Sequence, residues 1–177
     1  MMSTTPEPAS TVVFDTTVLS NFALIACLPL LQKLYEGWAC TTLPVVEEVR
    51  RGLTAGYGIL RQVEQAFAPP IGIGWLEIVT LETPAEQACY LQLLDALDSG
   101  EAACLALAAH HGWVLASDDL AARRAAIRLN VRLTGTIGIL VRLIHEGYLS
   151  LAEGNALLHQ LLRVGYRSPI ETLDELL

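Results

Sequence analysis

Lysine is almost absent from this chain. Lys33 stands alone beside ten arginines, and all charged residues together make up 17% of the 177 positions. A chain so poor in charge, with 53% hydrophobic residues and a mean hydropathy of +0.44, does not stay disordered and can bury one large core. Long apolar runs are missing too. The longest candidate, Phe22 to Leu31, is interrupted by Pro29 and followed by Gln32-Lys33, well short of the ~18 apolar residues that span a bilayer, so no membrane association is expected. Cysteine is scarce and scattered: Cys27, Cys40, Cys89 and Cys104 form no Cys-x-x-Cys pair, and no Cys or His pair has zinc-ligand spacing. They read as four buried thiols of a cytoplasmic protein. Positive charge is also in deficit, with a net charge of −8. That excludes a protein held to nucleic acid mainly by bulk positive charge, but not a nuclease that recruits cations to carboxylates. Met1 to Ser10 is polar, holds two prolines and lacks a basic n-region, so it is expected to be a flexible leader rather than a signal peptide.

Strand and helix patterns alternate through the rest. Strands are predicted at Thr11–Phe14, Trp38–Thr42, Trp75–Leu81, Trp113–Ala116 and Val131–Thr134. Val18–Leu34 is apolar at helical spacing, with Pro29 splitting it into two helices. Further helices are predicted over Pro44–Leu53, Ile59–Phe67, from the Thr83 cap to about Leu97, from Asp98 to near Gly112, and over Asp119–Leu129, Ile137–His145 and Leu151–Val164. Ser168-Pro169-Ile170-Glu171 is read as the cap of a last short helix. This alternation implies one three-layer α/β/α domain with a mainly parallel central sheet. Residues 11–149 form its body and 150–177 a helical extension packed on it.

The chemistry lies in acids at the ends of elements. Val12-Val13-Phe14 ends in Asp15, and Trp113 to Ala116 leads to Asp118-Asp119. A parallel sheet brings both strand ends to one edge, where open α/β sheets place their sites. Asp118 or Asp119 also suits a helix cap. Glu101, three residues after Asp98, suits a capping box, yet it opens a helix that is apolar nearly all round. Glu47-Glu48 sits early in a helix, where the macrodipole favours acids, and one of the two is expected to point inward. Carboxylates clustered this way select hard cations, Mg²⁺ or Mn²⁺. The nuclease reading requires them to meet within one ion's reach. Arg123, Arg124 and Arg128 follow the last acid on one helix and are candidate phosphate contacts. His110-His111 suits the C-terminus of a helix, and Trp38, Trp75 and Trp113 at strand starts read as core.

Four segments in this order, Val13-Phe14-Asp15-Thr16-Thr17-Val18-Leu19-Ser20-Asn21, Glu48-Val49-Arg50-Arg51-Gly52, Gly100-Glu101-Ala102-Ala103-Cys104-Leu105-Ala106-Leu107-Ala108 and Leu115-Ala116-Ser117-Asp118-Asp119, resemble the PIN-domain family. The chain is most similar to a prokaryotic subgroup that continues into an Ala-Arg helix, here Ala122-Arg123-Arg124-Ala125-Ala126, and a Gly-Thr-x-Gly segment, here Gly135-Thr136-Ile137-Gly138. The resemblance covers roughly Thr11 to Leu149. It implies a metal-dependent ribonuclease, often the VapC-type toxin of a toxin–antitoxin pair, cleaving RNA with metal-activated water. It also implies the acidic quartet Asp15, Glu48, Glu101 and Asp118 or Asp119. Alignment of Ser117 with the family's usual Thr points to Asp119, and counting from the strand end points to Asp118. Thr16 and Thr17 fall where the family orients its first acid. Asp98 is an extra acid, and Glu101 stands where many members carry Asp.

Two other readings compete. One is a PIN-like protein-interaction module without activity. The other is a haloacid-dehalogenase-type phosphatase, suggested by Phe14-Asp15-Thr16-Thr17, but that family wants Asp where Thr17 stands. The helices from Phe22 to Leu34 and Leu151 to Leu162 hold more apolar residues than one face needs, which predicts a homodimer or an antitoxin groove.

Overall fold

The computed structural model describes residues 10–177; the leader read at Met1–Ser10 lies, apart from Ser10, outside the described residues. Short apolar strands β1 (Val12–Phe14), β2 (Ala39–Thr42), β3 (Glu77–Val79), β4 (Val114–Ala116) and β5 (Arg132–Thr134) form one five-stranded sheet in the order β3-β2-β1-β4-β5. Every pairing is parallel. Val12, Val13 and Phe14 of the central strand are all buried, as expected for a strand covered on both faces.

Nine α-helices flank the sheet among the described residues: α1 (Thr16–Leu24), α2 (Leu28–Tyr35), α3 (Leu43–Thr54), α4 (Leu60–Ala66), α5 (Pro84–Leu93), α6 (Ser99–His111), α7 (Leu120–Arg128), α8 (Thr136–His145) and α9 (Leu151–Arg163). The result is a three-layer α/β/α fold. Helix α6 packs on β1, β2 and β4, and its residues Ala102 to Ala108 are all buried, which explains why its sequence shows no polar face. Leu158 and Leu161 of α9 and Leu173 beyond it join the same core as the strands.

Three local readings need correction. The break between α1 and α2 precedes Pro29. Ala26 takes a left-handed backbone (φ 53°), and Cys27 N–H donates back to the Phe22 carbonyl at 2.8 Å, which closes α1 as a Schellman-type stop. Pro29 then sits in the first turn of α2, where its missing N–H costs nothing. Helix α5 stops at Leu93 rather than Leu97. Ser168 caps no helix: its hydroxyl donates to the Ile170 carbonyl and accepts from the Ile170 N–H, a closed turn. A 3₁₀ turn follows at Leu173–Leu176, and Leu173 N–H is captured by the Asn155 side chain at 2.7 Å.

The four thiols are free; Cys40 and Cys104 are buried, and Cys27 and Cys89 are only half-buried. Trp38, expected in the core, is exposed. His111 closes α6, pairs with Glu86 at 2.8 Å and stacks on Trp113, which ties the end of α6 to the Thr83–Glu86 capping box of α5.

Candidate active site

The sheet's strand order turns around at β1. The chain moves from β1 through β2 to β3 on one side, then crosses to β4 and β5 on the other. That puts the carboxyl ends of β1 and β4 at a topological switch point, where parallel α/β sheets hold ligands in a crevice. The register Phe14↔Ala116 and the bond from Asp15 N–H to the Ala116 carbonyl (3.1 Å) place Asp15 and the Ser117-Asp118-Asp119 segment side by side at that crevice.

Asp15 is 1% exposed. It is also the N-cap of α1: Oδ1 accepts from the Thr17 N–H (2.9 Å), the Thr17 hydroxyl (2.6 Å) and, more weakly, the Val18 N–H (3.4 Å). Its other oxygen, Oδ2, is fully buried and has no hydrogen-bond partner among the described residues. Burial pushes the carboxyl up from 3.8 to about 6, although the nearby Ser117 hydroxyl first, and then the bonds from Thr17 and Val18, pull it down. A buried carboxylate oxygen without a donor is costly, and a cation is the partner that suits it.

Glu48 is the inward member of its pair, and Glu47 is exposed. Its Oε2 accepts from the Thr16 hydroxyl at 2.6 Å, and its Oε1 accepts from the Gly100 N–H at 2.9 Å at the start of α6. A Cβ at position 100 would lie 2.6–2.8 Å from the Glu48 carboxylate, so only glycine lets the two elements approach this closely. Glu101 follows at the third position of α6, where Oε2 accepts from the Asp98 N–H at 3.3 Å. Its carboxyl is raised from 4.5 to about 7, first by burial, then by the charge of Asp119, with Asp15 and Asp98 adding to it. Glu101 thus feels the charges of both Asp119 and Asp15.

The two adjacent aspartates have different surroundings. Asp118 is saturated: Oδ2 accepts from the Asn21 amide (2.9 Å) and the Thr136 hydroxyl, and Oδ1 accepts from the Thr136 N–H (3.0 Å) and the Tyr166 hydroxyl (3.3 Å). It knots α1, α8 and the segment after α9 to the end of β4. Asp119 is the N-cap of α7, and one oxygen accepts from Ala122 N–H at 2.8 Å. Ser117 is buried and its hydroxyl accepts from the Asp119 N–H at 3.2 Å. Arg123 turns inward: Nη1 donates to the carbonyls of Ser117 (2.8 Å) and Thr134 (3.2 Å), so it clamps β4 to β5. Arg124 and Arg128 are exposed on the far side of α7.

Among the described residues, no three Asp, Glu, His or Cys side chains stand close enough to hold a metal ion. The expected convergence within one ion's reach is therefore not found among these residues. Hydrogen bonds occupy both oxygens of Glu48 and of Asp118, while the charges of Asp119 and Asp15 act on Glu101. The unpartnered Oδ2 of Asp15 and an all-oxygen donor set nonetheless fit a hard cation.

A family model described as a PIN domain (DUF3368) matches residues 11–177. The chain belongs to the PIN-domain family. PIN domains are generally nucleases, and this match extends past Leu149 through α9 to the last residue. No curated protein matches the chain at a significant level. The residues that sequence reasoning did not assign to this PIN-domain site are Asn21, Thr136 and Tyr166. The first two lie inside the motif segments; Tyr166 carries no sequence signal at all.

Proposed function

We propose that this PIN domain is a metal-dependent endoribonuclease that hydrolyses phosphodiesters of single-stranded RNA, and that it serves as the toxin of a toxin–antitoxin pair. The observation that carries the reading is the buried, unpartnered Oδ2 of Asp15 at the end of β1, together with a Glu101 that feels the charges of Asp119 and Asp15. Asp15, Glu101 and Asp119 would hold Mg²⁺ or Mn²⁺. Bound there, the ion would make water acidic enough to act as a nucleophile and would offset charge on the phosphate oxygens. Thr17 fixes the Asp15 carboxylate through Oδ1 and leaves Oδ2 free. Thr16 and Gly100 hold the Glu48 carboxylate at the rim, where it can accept a proton from an approaching water. Glu101, raised to about 7, can take up or release a proton at neutral pH. Asp118 keeps the β4 end and the start of α8 in place for Asp119.

The purified protein should cut single-stranded RNA only with Mg²⁺ or Mn²⁺, stop on chelation, and lose the activity by at least a hundredfold in Glu101→Gln. The absence, among the described residues, of three acids at ligand spacing favours the second reading, an inactive PIN-like interaction module. No cleavage of several RNAs with either ion would decide for that module.

An antitoxin and a second copy of the chain are the partners we propose. Leu24 at the end of α1 (43% exposed) and Leu120 and Ile127 on α7 (67% and 69%) are apolar residues free for such contacts. The α9 residues Leu158 and Leu161 are spent in the protein's own core. A dimer mass in light scattering at micromolar concentration is expected, and a monodisperse monomer would refute the homodimer.

A further inference from the structure

Next to the acids lies a second concavity. A cleft of about 620 Å³ opens between the start of α7, the end of β5, the start of α8 and the segment after α9. That volume is in the range of small-molecule sites. Its walls are mostly aliphatic, from Leu120, Leu133, Ile137 and Pro169, with Arg123 and Arg167 as its cations. Arg123 is pinned by its two carbonyl bonds, whereas Arg167 is exposed and forms no ion pair or hydrogen bond among the described residues. Asp118 lines the cleft, and Asp119 follows it directly in the chain and acts on Glu101 through its charge, so the cleft adjoins the acids. The Tyr166 hydroxyl, bonded to Asp118 at 3.3 Å, holds the outer wall against the site.

A chain of net charge −8 that places two arginines around one apolar cleft beside its acids has a site for a ligand with an anionic end and a flat apolar body. We propose that the cleft binds one unpaired nucleotide of the RNA, adjacent to the scissile phosphate, with its base between the aliphatic walls and its phosphate on Arg167. A base held in a duplex is paired and stacked and does not enter such a cleft, so the cleft also selects single-stranded substrate. The inference rests on the nuclease reading for its substrate but not for its binding test.

The binding test uses the full chain without divalent ions, titrated with each of the four nucleoside 5′-monophosphates and, separately, with inorganic phosphate. Saturable amide shifts in NMR should centre on Ile137 and Gly138. At least one nucleotide should bind more tightly than phosphate, and Arg167→Ala, a surface change that leaves the core untouched, should weaken it about five- to tenfold. Shifts elsewhere, no saturation, or phosphate binding as well as every nucleotide would overturn the proposal. The kinetic arm scans an abasic position along a cleavable oligonucleotide. One position flanking the cut should lower kcat/KM about tenfold or more in the wild type and less than twofold in Arg167→Ala with Leu120→Glu. Cleavage indifferent to every abasic position would sink the cleft while the nuclease stands. Nucleotide binding at Ile137 with no cleavage of any RNA would sink the nuclease while the cleft stands.

Discussion

Asp15→Asn is expected to do two things at once: RNA cleavage falls below detection, and the metal-free protein becomes more stable near pH 7.5. The amide keeps Oδ1 as acceptor for Thr17 and Val18 but carries no charge into the buried site. Raising a carboxyl from 3.8 to about 6 corresponds to about 3 kcal/mol of destabilisation when it is ionised. The unpaired amide in the place of Oδ2 costs about 1–2 kcal/mol of that back. A net gain of about 1 kcal/mol should raise Tm by about 2–4 °C for a chain of this size. Because the folded value lies above the unfolded one, the wild-type penalty is absent below about pH 4, grows as pH rises to about 6, and is complete above it. Calorimetry in chelator should therefore show the Asp15→Asn advantage at pH 7.5 and its loss at pH 4.5. Glu101 extends the wild-type decline to about pH 7. Mn²⁺ should raise the Tm of the wild type and leave that of Asp15→Asn unchanged. A variant less stable than the wild type at pH 7.5 would mean that Asp15 is held by something other than burial.

The second large effect separates the adjacent aspartates. Asp119→Asn preserves an N-cap, since asparagine caps as well as aspartate, so its Tm should move by less than about 2 °C while cleavage drops at least a hundredfold. Asp118→Ala strands three groups, the Thr136 N–H and the Thr136 and Tyr166 hydroxyls, while the Asn21 amide keeps the Thr136 oxygen as acceptor at 3.2 Å. Each lost partner costs about 1 kcal/mol, so a loss of about 3 kcal/mol and a Tm fall of about 6–12 °C are expected. The reverse pattern, with Asp118→Ala stable but inactive and Asp119→Asn unfolded, would exchange their roles.

The strand ends were legible because period and composition both mark a buried parallel strand: Val12-Val13-Phe14 could hardly be anything else. The inward choice of Glu48 over Glu47 came only through the family resemblance, because helix position alone leaves it open: it depends on how α3 is rotated against α6 and on the space left by Gly100. Asp118 and Asp119 stayed ambiguous for a similar reason. Their difference comes from Asn21, Thr136 and Tyr166, distant in sequence and brought together only by the fold. Arg123 shows how a residue type misleads. On a helix after an acid it reads as a phosphate contact, but the carbonyls at the ends of β4 and β5 need a donor and take its guanidinium. Pro29 was rightly seen as punctuation, though it opens a helix instead of closing one.

The bond between Tyr166 and Asp118 joins the far end of the chain to the edge of the central sheet. A chain cut after Arg163 would keep every strand and still lack that tie and one wall of the cleft beside the acids. The finished pocket therefore depends on residues that lie beyond every strand of the sheet.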